Sequence, residues 1–198
     1  PYFDLHEALQ IPPERKIGIM VGNLRPAKGL DLLIEALSRC HFEKPPLVVI
    51  VGAVIDEKYV NECQALIKQN HLEDNFIFVG QLPDALSWMK GADFGIMASR
   101  SESGPLALIE MMGCGLPIAS FNVGNLSNIA SKRLEDSFAP PGDTKQLGAL
   151  IQELTNSSRE NLLKRGAVAE QLAFEMFDIE QKLPLWYSVY EKVLGFPQ

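Results

Sequence analysis

Cysteine, histidine and positive charge are scarce in this sequence. Its three cysteines, Cys40, Cys63 and Cys114, are odd in number, widely spaced and form no C-x-x-C pair. That pattern excludes a disulfide framework and a cysteine-based zinc site, and it points to a reducing, cytoplasmic setting. His6, His41 and His71 lack metal-ligand spacing, so they read as surface or capping residues and no metal site is expected. Lysine and arginine total 18 against 25 aspartates and glutamates, a formal charge of −7. Nucleic acid, whose affinity comes largely from neutralised phosphates, is therefore not the expected partner. No apolar run approaches the ~20 residues that span a bilayer. Internal repeats, low-complexity tracts and Gly/Ser linkers are missing as well, and no signal peptide is expected. The chain, which starts without Met, is expected to be a piece of a longer one.

What the sequence has instead is alternation. Its 198 residues, 46% of them hydrophobic, suffice for one large α/β domain with a real core. A polar lead-in over residues 1–14 precedes compact apolar runs at 16–22, 45–52 and 75–80, which suit strands buried on both faces of a parallel sheet. Helical spacing follows each of them: Leu30, Leu33, Ile34 and Leu37 after the first, residues 57–70 after the second, and 83–91 after the third, where Leu86, Trp88 and Met89 read as core. Further along, a short helix is expected around residues 126–130 and a last edge strand at Phe138 and Ala139. A helix capped by Asp143 or Thr144 should run to about Thr155. The tail reads as two helices interrupted near Phe177 and Asp178, with Trp186, Tyr187 and Tyr190 at mutual helical spacing and expected to pack in the core. The whole predicts a doubly wound, Rossmann-like parallel sheet of about six strands, helices on both faces and a C-terminal helical tail.

The most informative stretch is 93–120. An apolar run after Asp93 breaks at a polar loop, 99–104, and resumes as an apolar segment that stops at Gly115, the pattern of strand, loop and helix. Pro105 suits the first helical turn, Gly115 the left-handed residue past the end, and Pro117 forbids continuation. Leu106, Ala107, Leu108, Ile109, Met111, Met112 and Cys114 leave almost no polar face, which predicts a helix buried on most sides. Within it, Glu110 needs hydrogen-bond donors from the protein or from a ligand. Glu102 lies eight residues earlier, a little over two turns or about 12 Å along the same face. Between the acids, the backbone N–H groups over Ser103, Gly104 and Leu106 are helix-start donors that suit an anion. An elongated ligand with hydroxyls at both ends and phosphate between them would fit. Taken singly, each acid is equally compatible with a structural role, Glu102 stabilising the helix start and Glu110 pairing with a core cation.

Gly22 ends the first strand, and the turn from Asn23 through Arg25 and Pro26 leads to Lys28 and Gly29. A cation at a helix start opposes the macrodipole, so Lys28 either faces a bound anion or reaches into solvent. Lys28, Glu102 and the start of the central helix all follow strand ends. In a doubly wound sheet they gather on the carboxyl edge, where ligands bind.

Glu102 and Glu110, with seven residues between them and Met-Met-Gly-Cys-Gly-Leu-Pro-Ile-Ala-Ser following, resemble the E-x7-E segment of retaining family 4 (group 1) glycosyltransferases. Those enzymes have two Rossmann-like domains in the GT-B arrangement. The similarity is to their C-terminal, donor-binding domain and covers nearly the whole chain, so residues 1–198 are expected as one nucleotide-sugar-binding domain whose N-terminal acceptor domain is absent. The resemblance implies transfer of a glycosyl group from a nucleoside-diphosphate sugar to a sugar or lipid acceptor, in polysaccharide or glycolipid biosynthesis, with no metal or other cofactor. It places Glu110 on ribose hydroxyls, and Lys28 with the backbone around Ser103, Gly104, Pro105 and Leu106 on the diphosphate. Glu102 would meet the donor sugar, and Gly80 and Leu82 would border the base. The loop over residues 22–29 is similar to the family's G-R-L-x-x-x-K-G, but Asn23 stands at the Arg position; Arg25 is a candidate for the missing charge. A UDP-sugar is favoured over GDP- or ADP-sugars, although no residue here names the base. The full-length enzyme would be cytoplasmic and open to peripheral membrane association, while this chain alone should transfer little.

Two other readings stay open. A sugar-nucleotide epimerase-like half-enzyme would need its own acids and a second domain, and a Rossmann dehydrogenase is disfavoured because the first strand leads into no G-x-G-x-x-G. A non-catalytic α/β interaction module would bind no nucleotide at all.

Overall fold

The computed structural model describes residues 4–125 and 133–195. Six short strands form one sheet: β1 (Ile17–Val21), β2 (Leu47–Val51), β3 (Phe76–Gly80), β4 (Phe94–Met97), β5 (Ile118–Phe121) and β6 (Phe138–Ala139). Every neighbouring pair is parallel, and the order is β3-β2-β1-β4-β5-β6. The apolar runs explain the arrangement. All five residues of β2 are buried, and a strand with no polar face is stable only between two covering layers.

The covers are helices, eight among the described residues: α1 (Leu5–Leu9), α2 (Leu30–Ser38), α3 (Glu57–Gln69), α4 (Ala85–Gly91), α5 (Leu106–Gly113), α6 (Thr144–Asn156), α7 (Arg159–Phe177) and α8 (Ile179–Leu194). They fall into two packed groups, α2 with α3 and α6, and α5 with α4 and α7. Right-handed crossovers require this, because β1–α2–β2 and β4–α5–β5 advance in opposite directions across the sheet and so place α2 and α5 on opposite faces. The doubly wound sheet of six strands expected from the alternation is the fold the chain adopts.

Three details differ from expectation. Within the lead-in, residues 5–9 form α1, whose N-terminus Asp4 caps by accepting from His6 N at 2.8 Å; its Leu5 is fully buried. In α4, Met89 is buried but Leu86 faces outward, half exposed. Trp186, Tyr187 and Tyr190, expected in the core, are instead 58%, 61% and 57% exposed, and α8 has no buried residue. Helical spacing puts these rings near one another, but whether the face is covered depends on what packs there. The helix expected around residues 126–130 lies outside the described residues.

Candidate functional site

The strand order reverses between β1 and β4, and their connections leave toward opposite faces, which opens a crevice at the carboxyl edge. Residues 22–29 rise on one side of it and residues 98–105 on the other. On the first side, Pro26–Lys28 forms a single 3-10 turn, and Gly29 then takes the left-handed conformation at φ 68° before α2 begins. The loops touch at this glycine, since a Cβ on Gly29 would stand 1.9 Å from the Ala98 carbonyl oxygen. The aliphatic stem of Lys28 passes over Gly22, and its ammonium emerges inside the crevice.

There Lys28 Nζ donates to Glu102 Oε1 at 2.7 Å, and Ser99 Oγ donates to the same oxygen at 2.6 Å. Ser99 is buried, and the Glu102 side chain is only 10% exposed. Two donors thus orient one carboxylate in a site with little solvent. Glu102 belongs to the loop before α5, not to the helix, so a spacing of helical turns does not describe its relation to Glu110. The turn after β5 supports the loop from behind: Gly124, at φ 63°, packs so closely that a Cβ there would lie 1.9 Å from the Glu102 carbonyl oxygen.

At the mouth of the crevice α5 begins just after Pro105, with no side chain capping it. Leu106 N bonds to the Gly104 carbonyl and Ile109 N to the Pro105 carbonyl, which leaves the N–H groups of Ala107 and Leu108 with no partner among the described residues. These free donors mark the positive end of the helix dipole. Together the parts enclose a cleft of about 190 Å³ whose wall includes Lys28, Ser99, Glu102, Gly104, Met20 and Met97.

Other expected residues are not drawn in. Glu110 is exposed, with neither a hydrogen bond nor an ion pair among the described residues, and it forms no part of the cleft wall. The prediction of a helix buried on most sides fails for a simple reason. Leu108, Met111 and Met112 face the core, whereas Leu106, 70% exposed, and Glu110 one turn later share the outward side. Asn23 and Arg25 are exposed on the rim of the β1 loop, and Arg25 has no partner among the described residues. Gly80 ends β3 and Leu82 follows it, two strands from β1; at the usual strand spacing that is roughly 10 Å away, on the same edge but outside the cleft wall.

A second cluster, unforeseen from sequence, lies beneath the crevice. Arg100 grips Asp31 of α2 with both guanidinium nitrogens, at 2.8 and 2.5 Å, and Tyr59 Oη of α3 donates to Asp31 Oδ1 at 2.6 Å. Burial pushes the Asp31 carboxyl up, but the hydrogen bonds from Arg100 and Tyr59 and the Arg100 charge outweigh it and hold the group below its ordinary value. Burial, with the bond to Asp31, raises the Tyr59 phenol, and the bonds to Asp31 raise Arg100 further. Below Tyr59 sits Cys63, fully buried, its thiol pushed up to about 11 chiefly by burial. No local pattern signals this cluster, because Arg100 and Asp31 are 69 residues apart.

Chemically, the crevice offers an ammonium and free backbone amides to an anion, and an oriented carboxylate to hydroxyls. Among the described residues no three His, Cys, Asp or Glu side chains are grouped to hold a metal ion, and no helix is long and apolar enough to cross a membrane.

The chain resembles known proteins in sequence and in fold. A family model described as "Glycosyl transferases group 1" matches residues 2–169. D-inositol 3-phosphate glycosyltransferase of Jonesia denitrificans is 28% identical over 168 residues, covering 81% of this chain and 40% of the relative. N-acetyl-alpha-D-glucosaminyl L-malate synthase of Bacillus anthracis is 25% identical over 185 residues, 93% of this chain and 47% of the relative. The chain therefore spans less than half the length of these curated relatives. Among solved structures, HepE of Anabaena in complex with UDP and glucose superposes with a TM-score of 0.82 at 22% identity, over 93% of this chain and 51% of HepE, a likeness of fold.

Proposed function

This chain belongs to the glycosyl transferases of group 1, and from that premise we propose that its crevice binds the nucleoside-diphosphate sugar whose glycosyl group the enzyme transfers. The observation that carries the reading is the meeting of Lys28 with the uncapped start of α5 where β1 and β4 part. A diphosphate lies between them, accepting from Lys28 and from the free amides of Ala107 and Leu108. Glu102 accepts from hydroxyls of the donor sugar. As the bond to the sugar breaks, negative charge grows on the departing diphosphate, and the ammonium and helix dipole stabilise it where it forms.

The cleft, about 190 Å³, falls below the roughly 300–1,000 Å³ of a site that encloses a whole small ligand. It suits the diphosphate and the sugar, while the nucleoside lies along the open edge. Exposed Glu110, one turn beyond Leu106 at the mouth, is free to accept from ribose hydroxyls there, and the loop of Gly80 and Leu82 borders the base. UDP is the favoured nucleotide over GDP and ADP, in keeping with the UDP held by HepE. Arg25, without a partner among the described residues, is the candidate for a second cation on the diphosphate. The chain acts as the donor half of a retaining enzyme that needs no metal and sits in the cytoplasm, peripherally on a membrane where the acceptor is a lipid. The sugar or lipid acceptor binds through an N-terminal domain.

A thermal-shift and calorimetric screen of UDP, GDP and ADP against this chain and its Glu110→Ala variant tests the proposal. A ligand at a hundred times its Kd stabilises the fold by about 2.7 kcal/mol. Selective stabilisation by one diphosphate, weakened in the variant, is expected. No response to any of the three, in this chain and in the protein that includes the acceptor domain, overturns the reading.

A further inference from the structure

The loop over residues 98–105 carries Glu102 and leads into α5, yet it has no regular secondary structure of its own. Something outside it must decide where it stands relative to Lys28. Arg100 makes four hydrogen bonds across the crevice floor: its backbone N–H to the Ala27 carbonyl at 2.9 Å, Nη1 to the Pro26 carbonyl at 2.7 Å, and the two nitrogens to Asp31. Ala27 and Pro26 are the two residues before Lys28, and Glu102 is two residues after Arg100. The Lys28–Glu102 pair and the Arg100 contacts are thus successive rungs joining the same two loops. Asp31 is itself fixed from a third unit, since Tyr59 Oη both donates to its carboxylate and accepts from its backbone N–H at 3.2 Å.

We propose that Arg100 is a positioning residue, whose anchorage to Pro26, Ala27 and Asp31 sets Glu102 and the start of α5 opposite Lys28. It forms no part of the cleft wall and acts through the residues that do. An isolated ion pair between side chains 41% and 26% exposed contributes little to stability. What sets this pair apart is geometry: the planar guanidinium holds a carboxylate in two-point contact and a backbone carbonyl at once, which an ammonium cannot reproduce. Its loss should therefore move the loop more than it lowers the melting temperature.

The nucleotide arm of the test rests on the proposed function; the other arm does not. Arg100→Ala and Arg100→Lys are compared with the unaltered chain below all their melting temperatures, with Glu102→Gln as the reference for a released Lys28. First, the rate at which an amine-acylating reagent modifies Lys28, relative to exposed Lys58, is followed by peptide mass spectrometry. Arg100→Ala is expected to raise that ratio about fivefold, toward the Glu102→Gln value, and Arg100→Lys by less. Second, calorimetry is expected to show UDP affinity falling about fivefold in Arg100→Ala and partly recovering in Arg100→Lys. A ratio within a factor of about two of the unaltered chain, whatever the change in melting temperature, overturns the proposal. A raised ratio with UDP bound by neither protein discards the nucleotide reading and leaves the positioning role standing. Should Arg100→Ala fail to fold, Arg100→Lys carries both arms.

Discussion

Lys28 Nζ lies 2.7 Å from Glu102 Oε1 although 74 residues separate them, and each is the charge nearest the other in the cleft. The pair is neutral as it stands. An anion that enters the cleft competes with Glu102 for Lys28, so binding involves an exchange of partners as well as a new contact. That exchange has a sign that substitutions can read.

Removing the competing charge should favour the anion. Glu102→Gln is expected to bind UDP roughly threefold to tenfold more tightly than the unaltered chain, and Lys28→Ala about tenfold or more weakly. Isothermal titration at low salt measures both. Equal affinity in all three proteins would remove Lys28 from the site.

Asp31 predicts a pH dependence. Its carboxyl is held below the ordinary value by Arg100 and Tyr59 against the opposing effect of burial. A carboxylate held low contributes stability above its unfolded pKa, about 3.9, and loses that contribution as pH falls through the folded value. Asp31→Asn should therefore be less stable than the unaltered chain at pH 7, by about 1 kcal/mol. The gap should close in acid below the ordinary carboxylate range. Denaturant midpoints at neutral pH and at about pH 3 check the sign.

Gly29 tests the approach of the two loops. A Cβ at this position meets the Ala98 carbonyl at 1.9 Å, and the left-handed backbone adds strain. Gly29→Ala is expected to cost about 3 kcal/mol or more, read from urea unfolding. A cost under about 1 kcal/mol would mean the loops yield more easily than their packing implies.

Trp186 tests the exposure of α8. A ring in the core would cost about 3–5 kcal/mol on truncation, but this one is 58% exposed. Trp186→Ser should change the unfolding free energy of the chain by no more than about 0.5 kcal/mol. A loss on the scale of a core residue would put the helix against the body of the domain.

How far the sequence disclosed all this depends on range. Most of the described strands and helices were legible because each follows from a run of neighbours: five apolar residues in β2, the spacing of Leu30, Leu33, Ile34 and Leu37 in α2, the Asp143 cap of α6. The carboxyl edge was legible too, since Lys28 and Glu102 each follow a strand end. Facing was the weak point. The composition of α5 counted apolar residues without knowing that Leu106 and Glu110 turn away from the core, and the spacing of Trp186, Tyr187 and Tyr190 carried no information about a cover. Contacts between distant loops left no trace at all. Arg100 reads as one more loop cation until the fold sets it beside Asp31, and Ser99 as one more polar residue until its hydroxyl meets Glu102.

Cys63 turns this architecture into a clock. The thiol lies under Tyr59 with no exposed surface and a pKa pushed up to about 11, so an alkylating reagent reaches it only in the moments when α3 opens from its packing. The rate of labelling counts those openings at a residue outside the cleft wall, and half-buried Cys40 and Cys114 are told apart from it by peptide mass. Whatever braces the loops above Asp31 slows the clock; whatever unzips them lets it run.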